Sequence, residues 1–242
     1  MSEPERYPSQ VRLLHRISSI VSSERSLDEI LGELIGLAAQ VTACDACLVY
    51  LIEPGTGEIV LRASQLPHAA ELGTLRMKAG EGVTGWVAAH NAVVALSERA
   101  SSDPRFKRFP ALVEDTYEAF LSVPLVSGGQ VIGVINVHHK EPHQHTPEEI
   151  ALLTFIGEQL GGAIAKSRLA EENARLLEQL ETRKLVERAK GILQMRYNLT
   201  EEEAYMRLRN ESRRLRRPMR ELAEAVILAE DLARRSSTDL QE

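Results

Sequence analysis

The segment "AFLSVPLVSGGQVIGVINVHHK", residues 119–140, decides the fold of the first two thirds of the chain. It contains two runs rich in valine and isoleucine, which favour β-strands, on either side of a turn at Ser127 to Gln130. A second pair of strand-like runs, "ACLVYLIE" (46–53) and "EIVLRAS" (58–64), is joined by the turn residues "PGTG". The sequence therefore predicts two β-hairpins in one antiparallel sheet.

Helical segments lie on both sides of these hairpins. "SLDEILGELIGLAAQVTA" (26–43) opens with a capping box, Ser26 and Glu29, and then places apolar residues at helical spacing. "VRLLHRISSIVSS" (11–23) precedes it, and "GEGVTGWVAAHN" (80–91) predicts a glycine-rich turn that leads into a short helix. Strands flanked by helices at both ends predict an α+β domain with an antiparallel sheet.

The longest predicted helix begins at Thr146, an N-cap that is followed by proline at the first helical position. The helix can extend to about residue 197, which is longer than a single small domain can bury. Apolar or small residues recur along it at 3-4 spacing, and Leu169, Leu176 and Leu180 form a second seam. We therefore predict a parallel coiled coil over residues 166–182 that makes the protein a homodimer, with two competing registers.

Two further helices are predicted to complete an all-α, three-helix bundle with residues 183–197. "LTEEEAYMRLRNESRRLRR" (199–217) begins with a capping box, and "PMRELAEAVILAEDLARR" (218–235) begins with proline at the first helical position. Helical spacing predicts an inward-facing stripe on each helix. Its members are Val186, Ala189 and Leu193 on the first helix, Ala204, Leu208, Ser212 and Leu215 on the second, and Met219, Leu222, Ala223, Val226 and Ile227 on the third.

Composition and charge limit the class of protein. The 242 residues carry a net charge of -6, with 43% hydrophobic and 26% charged residues, which is ordinary for a globular protein. We expect a cytoplasmic protein without a membrane partner, because the chain has neither the apolar run of a membrane span nor a signal peptide pattern. Residues 181–235 carry 14 Lys and Arg against 10 Asp and Glu, so a basic C-terminal piece follows an acidic body.

Three blocks of the basic piece, in this order, resemble the ANTAR domain, the RNA-binding module of bacterial transcription antiterminators. They are "VERAKGILQ" (186–194), "LTEEEAYMRLRNESRR" (199–214) and "MRELAEAVI" (219–227). The residues before them resemble a GAF domain through "GEGVTGWVAAHNAVV" (80–94) and "SVPLVSGGQVIGVINV" (122–137). "TPEEIALLTFIGEQLGGAIA", which begins at Thr146, matches the closing GAF helix.

The resemblance implies a GAF sensor domain over residues 10–165, a coiled-coil linker over 166–182 and an ANTAR domain over 183–235. It implies a signal-gated protein that binds paired hairpin loops in leader RNA and promotes transcription antitermination, with RNA polymerase affected indirectly. A GAF regulator whose C-terminal bundle binds DNA or a protein is the alternative.

The stretch "RLRNESRRLRRPMR" (207–220) contains seven arginines and one glutamate. Cations bind RNA phosphates, and guanidinium planes can stack on unpaired bases, although a salt-bridged, solvated helix face is the simpler interpretation of such a run. Gly191 costs about 1 kcal/mol relative to alanine inside a helix, so we expect another helix or the RNA backbone to approach it. The residues expected to contact RNA are Arg183, Lys190, Gly191, Arg209, Ser212, Arg213, Arg216 and Arg217.

A small-molecule site is implied by the GAF resemblance, because GAF domains hold ligands between the sheet and a lid. The segment "ASSDPRFKRFP" (100–110) is expected to belong to that lid, and Trp86, Phe106 and Phe109 are expected to line the cavity. The sequence names neither the ligand nor a cofactor.

Two groups of residues, one of histidines and one of cysteines, raise the question of a metal site or of redox chemistry. "VHHKEPHQH" (137–145) holds four histidines, but His138 and His139 point to opposite faces of a strand, so we expect solvated loop residues and no metal site. Haem bound by one histidine in the GAF cavity is a minor alternative.

Cys44 and Cys47 form a lone CxxC, which we interpret as two small apolar residues rather than the redox pair of a free methionine sulfoxide reductase. No nucleophile, base and orienting residue lie at motif spacing, so no catalysis is predicted.

Overall fold

The computed structural model describes residues 9–68 and 70–238, and the chain divides into two compact units, residues 1–169 and 170–242. No helix among the described residues is long and apolar enough to cross a membrane. The α-helices found in the described ranges are α1 (Ser9–Ser22), α2 (Leu27–Thr42), α3 (Gly82–His90), α4 (Pro147–Tyr197), α5 (Glu201–Leu215) and α6 (Met219–Thr238).

The first unit contains a six-stranded antiparallel sheet in the order β3-β2-β1-β6-β5-β4. Both predicted hairpins are confirmed, since β1 pairs with β2 and β5 with β6. Gly128 and Gly129 form the β5–β6 turn with φ of 58° and 78°, a left-handed conformation that glycine adopts at no steric cost. The strands are β1 (Ala46–Ile52), β2 (Ile59–Ser64), β3 (Arg76–Met77), β4 (Val94–Leu96), β5 (Ala119–Ser127) and β6 (Gln130–His139).

Helices α1, α2 and the first part of α4 cover one face of the sheet and form the main core with it. The capping box that starts α2 is confirmed, because the Ser26 backbone N–H donates to Glu29 at 2.8 Å and Glu29 N–H donates to the Ser26 hydroxyl. Two glycines let α4 lie directly on β5. A Cβ at Gly157 would lie 2.9 Å from the Pro124 carbonyl oxygen, and one at Gly161 would overlap the Val126 carbonyl.

The opposite face of the sheet carries α3 and the segment between β4 and β5, which includes the short 3-10 helices Ala100–Ser102 and Val113–Thr116. Successive side chains of β1 point to opposite faces of the sheet, so this strand contributes to the core on both sides. Val49 packs with the helices of the main core, whereas Leu48 and Tyr50 pack with Leu112 and other residues on the far side. A fully buried strand of this kind explains the nearly continuous apolar run in the sequence.

The second unit is the predicted three-helix bundle, built from the last part of α4 with α5 and α6. Helix α4 ends at Tyr197 as predicted, and Asn198 follows it in the left-handed conformation with a φ of 52°. Helix α6 starts at Met219, one residue after the proline that was predicted to open it. The inward stripes of the first and third helices are confirmed, with Ala189 and Ala223 fully buried.

The predicted inward stripe of α5 is wrong in its last part. Ala204 and Leu208 are buried, but Ser212 is half-buried and the Leu215 side chain is 48% exposed. Helix α5 ends at Leu215, so this leucine lies on the terminal turn, almost two turns beyond the last buried residue, Leu208. Helical spacing identifies a face but cannot show how far a neighbouring helix covers it.

Candidate nucleic-acid interface and sensor cavity

Three arginines on α5 and its C-cap form a row that we call the arginine row: Arg209, Arg213 and Arg216. Arg209 and Arg213 are four residues apart, which places them on one side of the helix, and Arg216 follows three residues later at the C-cap. Arg213 and Arg216 are exposed and Arg209 is half-buried. Within residues 9–68 and 70–238, none of the three guanidinium groups has a carboxylate within 4.0 Å. The row therefore offers three cations that no described acidic group neutralises.

The other arginines of the stretch 207–220 are engaged. Arg214 pairs with Glu211 at 2.6 Å, Arg217 with Glu221 at 2.9 Å, and Arg220 with Glu224 at 3.0 Å. The Arg207 guanidinium lies 4.3 Å from the centre of the Tyr197 ring, a cation–π contact. The stretch is thus partly a salt-bridged helix face and partly an unpaired row. Arg217, which we expected to contact RNA, belongs to the paired group.

The α5 C-cap fixes the position of Arg216. Its backbone is left-handed, with φ 53° and ψ 39°, and its N–H donates to the Ser212 and Arg213 carbonyls. The Arg217 N–H donates a hydrogen bond to the Ser212 carbonyl at 3.0 Å, and the Ser212 hydroxyl donates one to the Arg217 carbonyl at 2.5 Å. A left-handed conformation costs a residue with a Cβ roughly 1–2 kcal/mol, which these bonds offset. Ser212 therefore holds the turn that presents Arg216.

Lys190, which we expected to contact RNA, is buried and paired with carboxylates. Its side chain is 7% exposed, and its ammonium group lies 2.9 Å from a Glu187 oxygen and 2.7 Å from a Glu201 oxygen. These hydrogen bonds, the one to Glu201 first, raise the pKa of Lys190. An ammonium group removed from water needs such partners. Lys190 thus joins α4 to the first turn of α5 rather than standing ready for a phosphate.

The two remaining residues of the expected interface lie on α4. Arg183 is exposed, and no carboxylate of the described chain lies within 4.0 Å of it. Gly191 is half-buried, and a Cβ built there would meet no described heavy atom within 4 Å. The expectation that another helix packs closely against Gly191 is therefore wrong for the described residues. The expectation that the RNA backbone approaches it stays a prediction.

A small pocket lies on the far side of the sheet from α4, between the sheet, α3 and residues 106–109. Its enclosed space is about 20 Å³, which is room for about one water molecule. Phe106 and Phe109 line it as expected, but Trp86 is not among its lining residues. The Trp86 ring instead stacks on His90, with centroids 4.3 Å apart, and carries the Arg105 guanidinium at 4.8 Å.

Polar side chains converge in this pocket and are held by one another. Asn136 accepts a hydrogen bond from the Ser122 hydroxyl at 2.7 Å and donates to the Thr84 hydroxyl at 2.8 Å. Burial lowers the pKa of His138 to about 3, so its ring is neutral at pH 7. Burial also raises the pKa of Asp115 to about 6, although its carboxylate accepts the Phe109 N–H. The pocket offers a small ligand donors, acceptors and one titratable acid.

The histidines of residues 137–145 are not solvated as a group, contrary to our expectation. His138, His139 and His145 are 3%, 6% and 7% exposed. His138 and His139 do point to opposite faces of β6, as predicted, because His138 lines the pocket and His139 lies against His143. Sequence alone missed the burial, since the fold of the β6–α4 connection decides it.

Both cysteines are buried thiols in the main core. Burial raises the pKa of Cys44 and of Cys47, which keeps both protonated and unreactive at neutral pH. This agrees with the interpretation of the CxxC as two small apolar residues.

Family comparison matches residues 26–164 to the GAF domain and residues 174–227 to the ANTAR domain. The chain is 28% identical over 165 residues to a Nif-specific regulatory protein of Azotobacter vinelandii, covering 66% of this chain and 31% of that protein. It is 46% identical over 59 residues to the transcriptional regulatory protein PdtaR of Mycobacterium tuberculosis, covering 24% of this chain and 29% of that protein. The chain thus spans less than a third of the length of these curated relatives.

Among solved structures, the GAF domain of a phosphoenolpyruvate-protein phosphotransferase from Coxiella burnetii is 28% identical, with a TM-score of 0.61. The match covers 67% of this chain and 96% of that structure. Together, the two domain matches and the similarity to two regulatory proteins support a regulator with a GAF sensor. The chain belongs to the GAF domain family and carries an ANTAR domain after its GAF domain.

Proposed function

We propose that the protein is a signal-responsive RNA-binding regulator that binds paired hairpin loops in leader RNA and promotes transcription antitermination. RNA polymerase is affected through the RNA rather than by direct contact, and the target, a nascent transcript, places the protein in the cytoplasm. The observation that carries the proposal is the arginine row, which lies on the domain that matches the ANTAR family.

The chemistry of the row suits a phosphate backbone. Each cation that neutralises a phosphate releases condensed counterions, which supplies much of the affinity of nucleic-acid binding proteins. Cations already paired with carboxylates gain less, because the phosphate must displace an existing partner. Tyr197, whose ring is partly exposed beneath Arg207, adds an aromatic surface on which an unpaired loop base can stack.

A homodimer is the second part of the proposal, with residues 10–165 as sensor, 166–182 as coiled-coil linker and 183–235 as RNA-binding domain. The leucines that follow the GAF match along α4 are 46% to 72% exposed in the single chain. Their spacing, which includes steps of seven and four residues, is that of a coiled-coil seam, so a second copy of the chain is the proposed partner. These leucines are Leu169, Leu176, Leu177 and Leu180.

Dimerisation and the sensor pocket give the protein its regulation. Two RNA-binding domains on one dimer engage two hairpins at high effective concentration, so paired hairpins bind more tightly than single ones. A small molecule in the pocket shifts the population between forms that permit and prevent that engagement. The enclosed space of this pocket is about 20 Å³, so binding of a small molecule requires its walls to move apart.

Filter binding at one salt concentration tests the proposal, with a double-hairpin RNA, the corresponding single hairpin and a duplex DNA of equal length. We expect the double hairpin to bind most tightly. Equal or tighter binding of duplex DNA would contradict RNA recognition and favour the DNA-binding alternative. Replacing both Leu176 and Leu180 with glutamate should give a monomer by sedimentation and remove the preference for the double hairpin.

A further inference from the structure

Three histidines come together where β6 ends and α4 begins. His139 is the last residue of β6, His143 lies in the connection, and His145 directly precedes the N-cap of α4. One ring nitrogen from each lies within 4.8 Å of those of the other two. The ring centroids of His139 and His143 are 4.0 Å apart, and those of His143 and His145 are 4.9 Å apart.

Three ring nitrogens in this cluster lack partners among the described residues although they are buried. His139 Nε2 and both ring nitrogens of His145 make no hydrogen bond to any described residue. Leaving a buried polar atom unpaired costs about 1–3 kcal/mol, so three such atoms at one place require an explanation. Packing of the rings alone does not give one, because apolar rings of similar size would fill the same space without this cost.

Histidine is the residue type that suits a transition-metal ion. A neutral imidazole has a lone pair on one ring nitrogen, and this is the form that binds metal.

A carboxylate lies beside His143. His143 Nε2 lies 3.1 Å from Glu149 Oε1, and the other oxygen of Glu149 accepts the Thr146 N–H at 2.7 Å. A hydrogen bond from Nε2 to this carboxylate leaves Nδ1 of His143 available. Such carboxylate–histidine pairs orient the ligands of metal centres and increase their basicity.

We propose that His139, His143 and His145 bind one divalent transition-metal ion of the class that prefers imidazole nitrogen, Zn²⁺ above all, with Glu149 orienting His143. Three protein ligands leave a fourth tetrahedral position for water. The site lies on the face of the sheet opposite the pocket that His138 lines, so it is separate from the GAF ligand pocket.

The geometry requires a modest adjustment. Tetrahedral bonds of about 2.0–2.1 Å place donor nitrogens roughly 3.3 Å apart, whereas here they lie within 4.8 Å. The nitrogens must therefore approach by up to about 1.5 Å, which rotation of the stacked His139 and His143 rings about their side-chain bonds can supply. His143 and His145 lie in the loop between β6 and α4, so the backbone of this loop can move together with their rings.

Metal titration of the untagged full-length protein, treated first with a chelator, tests this site. We expect one Zn²⁺ per chain by calorimetry and, with Co²⁺, the visible absorption of a tetrahedral nitrogen-bound ion. Glu149→Gln should weaken binding about 10- to 100-fold, and glutamine keeps the capping role at this position. His143→Ala removes a ligand and should weaken binding more. His15→Ala, which alters an exposed histidine of α1, is the matched control and should change nothing.

Circular dichroism and thermal melting establish whether each variant is folded. If His143→Ala does not fold, Glu149→Gln still tests the site. Absence of stoichiometric binding would overturn the proposal, as would unchanged affinity in Glu149→Gln and His143→Ala, or an equal loss in His15→Ala. The readout involves no RNA, so its failure leaves the proposed RNA-binding function untouched.

Discussion

Removing the arginine row should reduce the salt dependence of RNA binding. The variant replaces Arg209, Arg213 and Arg216 with glutamine. No described side chain forms an ion pair with any of the three, so we expect changes in stability within about 0.5 kcal/mol for each surface substitution. Glutamine is also a good helix former, so α5 should persist. Any loss of affinity then reports on contact with the RNA.

The expected magnitude follows from the number of cations. Each phosphate contact adds about 0.7 to the slope of log K against log salt concentration for single strands, and about 0.9 for a duplex. Three contacts therefore account for a slope of about 2. Between 50 and 200 mM salt, a fourfold change, the unmodified protein should lose roughly 20-fold more affinity than the variant.

The control removes the same charge from paired positions of the same stretch. Arg214, Arg217 and Arg220 are replaced with glutamine, leaving the carboxylates that had neutralised them. Filter binding of the double-hairpin RNA at three or more salt concentrations gives the slope for each protein. We expect the control slope to fall by less than about 1. Equal falls in both variants would refute the distinction between unpaired and paired arginines, and an unchanged slope in the row variant would remove the row from the interface.

Three further predictions test individual features of the structure. Gly161→Ala should lower the free energy of unfolding by about 1–3 kcal/mol, because its Cβ overlaps the Val126 carbonyl. Gly162→Ala, with no described atom within 4 Å, should raise it by up to about 1 kcal/mol; similar effects of the two in urea unfolding would contradict the close α4–β5 contact. Gly191→Ala should stabilise the protein by up to about 1 kcal/mol yet weaken RNA binding if the RNA backbone approaches there, and a lower melting temperature would contradict the open space seen around it. The raised pKa of Asp115, about 6 against 3.8, means that the folded state binds this proton more tightly than the unfolded state, so the contribution of Asp115 to stability falls between about pH 4 and pH 6. Asp115→Asn should therefore gain stability over the unmodified protein, from near zero at about pH 4 to at most about 3 kcal/mol at pH 7, and a difference independent of pH in urea unfolding would refute this.

Local signals made most of the elements predictable. The capping boxes at Ser26 and Thr200, the N-cap at Thr146 and the glycine turn between β5 and β6 each act within four residues, so the sequence contains the whole interaction. The order of the helices and the two hairpins followed directly from these signals and from apolar periodicity, and they matched the structure.

The roles of the charged residues were less accessible. Lys190 was expected to contact RNA, which requires an accessible ammonium group. The fold instead brings the first turn of α5 against it, and Glu201, eleven residues later in the chain, supplies the carboxylate that accompanies its burial. Which arginines keep a free charge likewise depends on the rotamers and neighbours of Glu211 and Glu221, as well as on sequence spacing.

The sequence by itself determined the two domains, the antiparallel sheet, the long α4 and the basic character of the C-terminal bundle, since composition, caps and periodicity act locally or add along the chain. Only the tertiary structure decided which groups lose water. It buried His139 and His145 beside His143, placed Trp86 outside the pocket and left Leu215 exposed. Burial depends on segments distant in the chain that meet in space, and desolvation changes what a charged or polar side chain can do.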